Sequence, residues 1–312
     1  MEKKNILLIS AHPPIDYELI REWLKSGHNV SIVSLNVRWD DQFSELTNGV
    51  SRGLPAAEPD AIICGSEKDL PYSFLIKLHN KWFNTRIIMI HWWIPNWNPL
   101  LYLVRNVSVC EYGRKLLISR QFIDSRVVYC PVDVKTFRPI DGMARKKRVI
   151  CIGNNFKNRK VMGYDHLIDI ITRIHAISPE IEIGVIGKND PADYPEYVDV
   201  RSLNKEQMVN EIASSSAVFF TTTRNLIMNS MQIAMSCGKP VVAFDLEPFR
   251  EVIRDGESGF LIQCFDTHSF ALKLVDIVMN RYEEVGRKAR EIIVEKCESS
   301  KVASQIISVI DR

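Results

Sequence analysis

Apolar and polar positions follow a repeated order along the chain. Short, nearly continuous apolar runs recur: NILLIS at 5–10, DAIICG at 60–65, RIIMIH at 86–91, RVICIG at 148–153, IEIGVIG at 181–187, AVFFT up to Thr221, PVVAF from Pro240, and FLI before Gln263. Each reads as a strand buried on both faces. Between them lie stretches with apolar residues at helical spacing, near 16–26, 70–82, 108–122, 164–176, 204–213 and 226–237. Three more helical patterns close the chain, at 269–280, 282–297 and 300–310. Gly27, Gly238 and Asp255-Gly256 supply the stops, and Pro240 opens a strand. Strands alternating with helices predict an α/β protein built on parallel sheets. Residues 36–58 show no period and read as a surface connection.

The polar stretch 140–147, running into Arg145–Arg148, reads as a linker with a solvated basic run. With 312 residues, two domains of ordinary size fit. The 40 Lys and Arg nearly balance 38 Asp and Glu, so net charge, at +2, gives no bulk case for nucleic acid. Seven cysteines are scattered singly with no C-x-x-C, as small hydrophobes would be in a reducing, cytoplasmic compartment. The basic start is followed by too brief an apolar run for a signal peptide, and no stretch approaches the ~20 apolar residues of a membrane span. No H-E-x-x-H, paired-carboxylate metal site, G-x-S-x-G or P-loop is present, so the expected metal ligands are none.

The segment AVFFTTTRNLIMNSMQIAMSCGKPVVAFD reads as strand, loop, helix, turn and strand, a βαβ unit. Loops after such strands line the crevice where open α/β sheets bind ligands, which sets Thr221–Asn225 and Asp245–Pro248 on one crevice. The ordered string AMSCGKPVVAFD, then Glu251-Val-Ile, then DGESGFL, closely resembles the C-terminal half of the retaining GT-B glycosyltransferases of family 4. VDVKTFRP at 132–139 resembles the motif that closes the first domain in that family, and Gly153, Gly163, Asp165 and Leu167-Ile168 align with its phosphate-loop region. The resemblance covers nearly the whole chain. It implies two Rossmann-like domains facing each other across a cleft: residues 1–141 on the acceptor side, 142–296 binding the nucleotide sugar, and a terminal helix, 297–312, packing back on the first.

It also implies site residues. Glycosyl transfer expels a diphosphate, and positive charge must stabilise it as it leaves. The family's Arg and Lys positions hold Asn154 and Met162 here, which leaves Lys160, Arg159 and Lys157 as the cations near enough to act. Gly153, Asn154, Asn225, the amides of Leu226 and Ile227, and Glu251 complete the donor side. From the first domain, His12 follows the opening strand and His91 ends the RIIMIH strand, where it would face the reacting sugar. Trp92, Trp93 and Trp97 offer flat faces to an acceptor. The sequence departs from the family in three places. Pro13-Pro14 replaces the Gly-Gly of the first loop, removing amide donors. Asn225 and Ile233 stand where the family has paired glutamates, and the Arg–Lys spacing is lost.

Three readings stay open at this point. One is a metal-independent, retaining hexosyltransferase with no cofactor, using a UDP- or GDP-linked donor and a hydroxyl-bearing acceptor such as a glycan or a lipid carrier, with room for a peripheral membrane contact. Another is a binding or partner subunit that keeps the fold with reduced chemistry. The third is a transferase acting on nucleic acid or a lipid carrier through a rearranged donor pocket.

Overall fold

The computed structural model describes residues 2–34, 50–92, 97–153, 160–187, 193–224 and 229–311, with the backbone alone for Lys160. In chain order the first elements are β1 (Asn5–Ile9), α1 (Pro13–Lys25), β2 (Asn29–Val33), β3 (Val50–Arg52), β4 (Ala61–Cys64), α2 (Leu70–His79), β5 (Arg86–His91), β6 (Arg105–Ser108), α3 (Glu111–Gln121) and β7 (Arg126–Val127). Then come β8 (Arg148–Ile152), α4 (Tyr164–Ile177), β9 (Glu182–Ile186), β10 (Val198–Arg201), α5 (Lys205–Ser214), β11 (Ala217–Phe220), α6 (Asn229–Ser236), β12 (Val241–Phe244) and β13 (Phe260–Ile262). The chain ends in α7 (Thr267–Asn280), α8 (Glu283–Cys297) and α9 (Ser299–Asp311). Two compact units result, one from residues 1–131 with 297–312, the other from 132–296.

The first unit is a parallel sheet of order β3-β2-β1-β4-β5-β6-β7. Its central strands are apolar throughout because helices cover both faces. Leu7, Ile9, Ile62, Cys64, Ile87 and Met89 point to one face and pack with residues of α2 and with Leu101 and Ile123. The other face carries α1 and α9, joined where the Trp23 indole N–H donates to the Ala303 carbonyl at 3.1 Å. Arg86 and Arg105 donate to the final carbonyls of α9, at Val309 and Ile310, and Lys4 pairs with Asp311 at 2.8 Å. Cations there satisfy groups a helix end leaves unpaired. Within 36–58, read as an unpatterned connection, β3 adds an edge strand paired Val30 to Val50. Its two exposed residues carry no apolar run, so the pattern could not mark it.

The second unit is also wholly parallel, of order β10-β9-β8-β11-β12-β13. The expected pair of Rossmann-like sheets is therefore present. The basic run 145–148, read as solvated, is so only at Lys146 and Lys147. Arg148 opens β8 almost fully buried, held by Glu211 at 2.5 Å, Asp199 at 2.7 Å and Glu182 at 3.2 Å. Arg145 donates to Ser216 Oγ at 3.0 Å. A buried guanidinium survives only with such partners. The VDVKTF segment, read as closing the first domain, is held in this second unit. Arg290 of α8 donates to the carbonyls of Val134 and Phe137 at 3.1 and 3.0 Å, and Asp133 pairs with Lys205 at 3.2 Å.

Candidate functional site

In each sheet the strand order reverses at one adjacent pair, β1 with β4 and β8 with β11. Ligands of open α/β sheets bind outside the carboxyl ends of strands at such a switch point. The residues gathered there in each unit form the candidate site.

In the second unit, the loops after β8 and β11 are stitched together. Thr221 Oγ1 donates to the Met162 carbonyl at 2.9 Å, Thr222 Oγ1 to the Val161 carbonyl at 2.7 Å, and the Thr223 amide to Val161 at 3.0 Å. Gly163 makes the approach feasible. Its φ is +70°, and an added Cβ would lie 2.1 Å from the Thr221 carbonyl oxygen. Gly163 is also the N-cap of α4, so the first-turn amides of a 14-residue helix open at the switch point, an arrangement suited to anions. Beside it, the His166 ring sits 5.6 Å from that of Phe244 and 5.1 Å from that of Phe265. After β12, Asp245 forms a two-pronged pair with Arg250, both contacts 2.6 Å, which holds its carboxyl below the usual range.

In the first unit, one Asp16 oxygen takes the Ser10 hydroxyl at 2.7 Å and the amides of Ala11 and His12 at 3.1 and 2.9 Å. The loop after β1 is thus turned onto its own helix, with Pro13 and Pro14 opening α1. Burial pushes the Asp16 carboxyl up, although these three donors favour its anion. Next to this loop, Trp92 packs so closely on Gly65 that a Cβ there would lie 2.4 Å from the indole nitrogen. The His12 ring is 6.0 Å from that of Trp92.

His91 is buried at the end of β5. Asn106 donates its amide hydrogens to the carbonyls of Leu101 and Val104, at 2.8 and 3.2 Å, so its Oδ1 is an acceptor. His91 Nε2 lies 2.7 Å from that oxygen and therefore carries the proton. Burial lowers the His91 pKa to about 4. The ring is neutral at pH 7, and Nδ1 presents a lone pair. Nδ1 of His91 and Nε1 of Trp92 are both buried with no hydrogen-bond partner among the described residues. An orphaned buried polar atom costs about 1–3 kcal/mol. Both atoms are closed to solvent, the Trp92 indole nitrogen lying against Gly65, so a ligand would reach them only if the surrounding side chains moved.

Of the residues expected from the sequence, Gly153 directly follows β8 and its amide donates to the Ile186 carbonyl at 3.0 Å. Asn154, Lys157, Arg159, Asn225, Leu226, Ile227 and Trp93 lie outside the described residues, as does the side chain of Lys160. Glu251 ends a short 3-10 stretch, Glu247–Glu251, half-buried, with its carbonyl taking the Lys296 ammonium at 2.7 Å. Trp92 is buried rather than open, whereas Trp97 is 70% exposed. Gln232 is buried, and Ile233, at the position of the absent glutamate, only partly so. Asp16, Asn106 and the Thr221–Thr222 hydroxyls were not singled out from the sequence; a polar residue directly after an apolar run is the signal that was there for the threonines. Among the described residues, no group of three His, Cys, Asp or Glu side chains could hold a metal ion.

Comparison with solved structures matches both units at once. A glycosyltransferase from Rickettsia africae superposes with a TM-score of 0.77 at 13% identity, covering 99% of this chain and 98% of its own. Anabaena HepE, solved with UDP-glucose, gives 0.77 at 14% identity and covers 99% of both chains. The fold is that of the GT-B glycosyltransferases. Residues 146–280, most of the second unit, match the family described as glycosyl transferases group 1. In sequence, the phosphatidyl-myo-inositol mannosyltransferase of Mycobacterium leprae is 28% identical over 179 residues, 53% of this chain and 46% of that protein. The chain spans about half the length of the curated relatives it matches.

Proposed function

We propose that the chain is a glycosyltransferase moving a hexose from a UDP- or GDP-linked sugar to an acceptor hydroxyl, with retained configuration, in the cytoplasm, and with no metal or other cofactor. The observation that carries the reading is the stitched junction at the β8/β11 switch point. It presents the amino end of α4 directly after a sequence stretch holding Lys157, Arg159 and Lys160. In the reaction the bond from the anomeric carbon to the diphosphate breaks and a bond to the acceptor oxygen forms. The acceptor proton leaves with the diphosphate or to water. Lys160 and Arg159 have the role of neutralising that diphosphate, with Lys157, Gly153, Asn154 and the Asn225–Ile227 stretch beside it. His91, neutral and with no described partner at Nδ1, would accept a sugar hydroxyl there once the side chains that bury it moved aside. Support also comes from the group 1 match over 146–280 and from the neighbour solved with UDP-glucose. Trp97 is the open aromatic face for an acceptor, and a lipid-linked acceptor accords with the mannosyltransferase relative.

One observation favours a second reading, a fold-retaining partner subunit. Asp16 already occupies the Ala11 and His12 amides that would otherwise be turned to a donor phosphate. Thermal unfolding with UDP, GDP and their sugars separates the two. A nucleotide that raises the melting temperature, with the shift abolished in Arg159→Ala/Lys160→Ala, supports transfer. No shift across the panel supports the subunit, and an unchanged shift in the variant moves the diphosphate site elsewhere.

A further inference from the structure

At the carboxyl end of β12 the second unit carries an aromatic cluster that no step of glycosyl transfer uses. Its rings run in contact from core to surface. Phe219 and Phe270 lie 6.1 Å apart, Phe270 and Phe244 5.1 Å, and Phe244 then meets His166 of α4 at 5.6 Å and Phe265 at 6.1 Å. Phe219, Phe244 and Phe270 are fully buried, whereas Phe265 is 60% exposed. His166 is half-buried, its ring tilted 41° to that of Phe265 with centroids 5.1 Å apart. Neither nitrogen of that imidazole has a hydrogen-bond partner among the described residues. The exposed ring thus rests on a rigid foundation and is held in place before any ligand arrives.

Folding alone does not account for Phe265. Its φ is +70°, a left-handed conformation that glycine takes freely and a residue with a side chain takes at a cost. Most of the residue stays in water, so burial returns little. Strain of this kind collects where a ligand is met. Polar groups stand on the same rim. The Asp245 amide donates to the Ile262 carbonyl at 2.7 Å and the Cys264 thiol to the Asp245 carbonyl at 3.4 Å, which sets Asp245 beside Cys264 and Phe265. In the two-pronged Asp245–Arg250 pair, Arg250 bonds through Nε and Nη2, so Nη1 keeps both hydrogens for another partner among the described residues. Each Asp245 oxygen keeps a second lone pair. Asp245 cancels the Arg250 charge and Asp266 follows Phe265 directly, so the rim offers no surplus of cation to a phosphate. The ligand it suits is uncharged, with one apolar face and a border of hydroxyls. A pyranose has that form: its C–H face stacks on an aromatic ring while its hydroxyls reach the imidazole and the Asp–Arg pair.

We propose that Phe265, His166 and the Asp245–Arg250 pair form a binding site for a neutral glycan, with a pyranose ring laid on Phe265. The site is separate from the diphosphate position at the Gly163 junction and does not depend on the transferase reading. The test is saturation-transfer NMR on the full chain, without nucleotide, using maltotetraose, α-linked mannotetraose and chitotetraose as probes. At least one should bind, with the strongest transfer on the C–H protons of one pyranose face. Phe265→Ala and Phe265→Gly should each raise its dissociation constant about tenfold, and Phe265→Trp should restore the parent's value. Phe265→Gly also relieves the left-handed strain, so its unfolding midpoint should equal or exceed the parent's; loss of binding then has no unfolding to explain it. Saturating UDP or GDP should leave the glycan in place. Three results overturn the proposal: no binding of any of the three probes, unchanged binding by both Phe265→Ala and Phe265→Gly, or displacement of the glycan by nucleotide. Nucleotide-induced thermal shifts of Phe265→Gly should match the parent's, so failure of the glycan site and failure of the transferase reading stay separable.

Discussion

His91 shows how one buried imidazole is set for a single role. Asn106 fixes its tautomer from one side, and burial holds the ring neutral from about pH 4 upward. The unfolded chain, with an ordinary histidine near 6.5, takes up its proton first. This contribution to stability is therefore intact above about pH 6.5 and declines as the pH falls towards 4, by about 2 kcal/mol at pH 5. His28 is lowered by burial in the same way, so the whole chain's acid sensitivity is not a test of His91 alone. Urea unfolding of the parent and of His91→Gln at pH 7.5 and pH 5 isolates it. The variant should lose about 2 kcal/mol less than the parent between those two conditions, and equal losses would mean that the ring titrates normally. His91 was reached through the family resemblance, as the histidine that ends the RIIMIH strand. The sequence could not mark Asn106, whose partners are a ring on the neighbouring strand and two carbonyls just upstream of β6.

At the scale of elements, the junction of the β8 and β11 loops rests on Gly163. Alanine there would meet both a left-handed backbone and the Thr221 carbonyl. Gly163→Ala should destabilise the second unit by roughly 3 kcal/mol, lowering its unfolding midpoint while the first unit is unchanged, and should abolish any nucleotide-induced shift. Retention of that shift would mean that the stitched loops do not form the donor site. The elements themselves were largely legible. Strands buried on both faces, such as β5 and β11, announce themselves as apolar runs, and the Gly238 and Asp255-Gly256 stops bound what lies between them. Two kinds of element escaped. The edge strand β3 has one covered side and no apolar run. Arg148 looked like solvated charge because its partners Glu182, Asp199 and Glu211 are 34 to 63 positions away. The donor residues were reached through ordered motifs, and spacing alone could not choose among Lys157, Arg159 and Lys160.

The molecule as a whole is two units with the first completed by the chain's last helix. Removing residues 297–312 would uncover the apolar side of α1, where Leu19, Ile20 and Trp23 are buried, and would free Arg86 and Arg105 from the α9 carbonyls. The truncated chain should lose cooperative unfolding of the first unit and become open to limited proteolysis within residues 1–131, while 132–296 stays resistant. Equal resistance of both units would show that α9 is dispensable. The arrangement also sets a timetable during synthesis. Residues 132–296 are complete and free to fold as they leave the ribosome, whereas the opening 131 residues, made earlier, wait for the final sixteen before their sheet is covered on both sides. The part translated first is the part finished last, and over that interval the nascent chain exposes the greasy flank of α1 to any chaperone waiting at the exit tunnel.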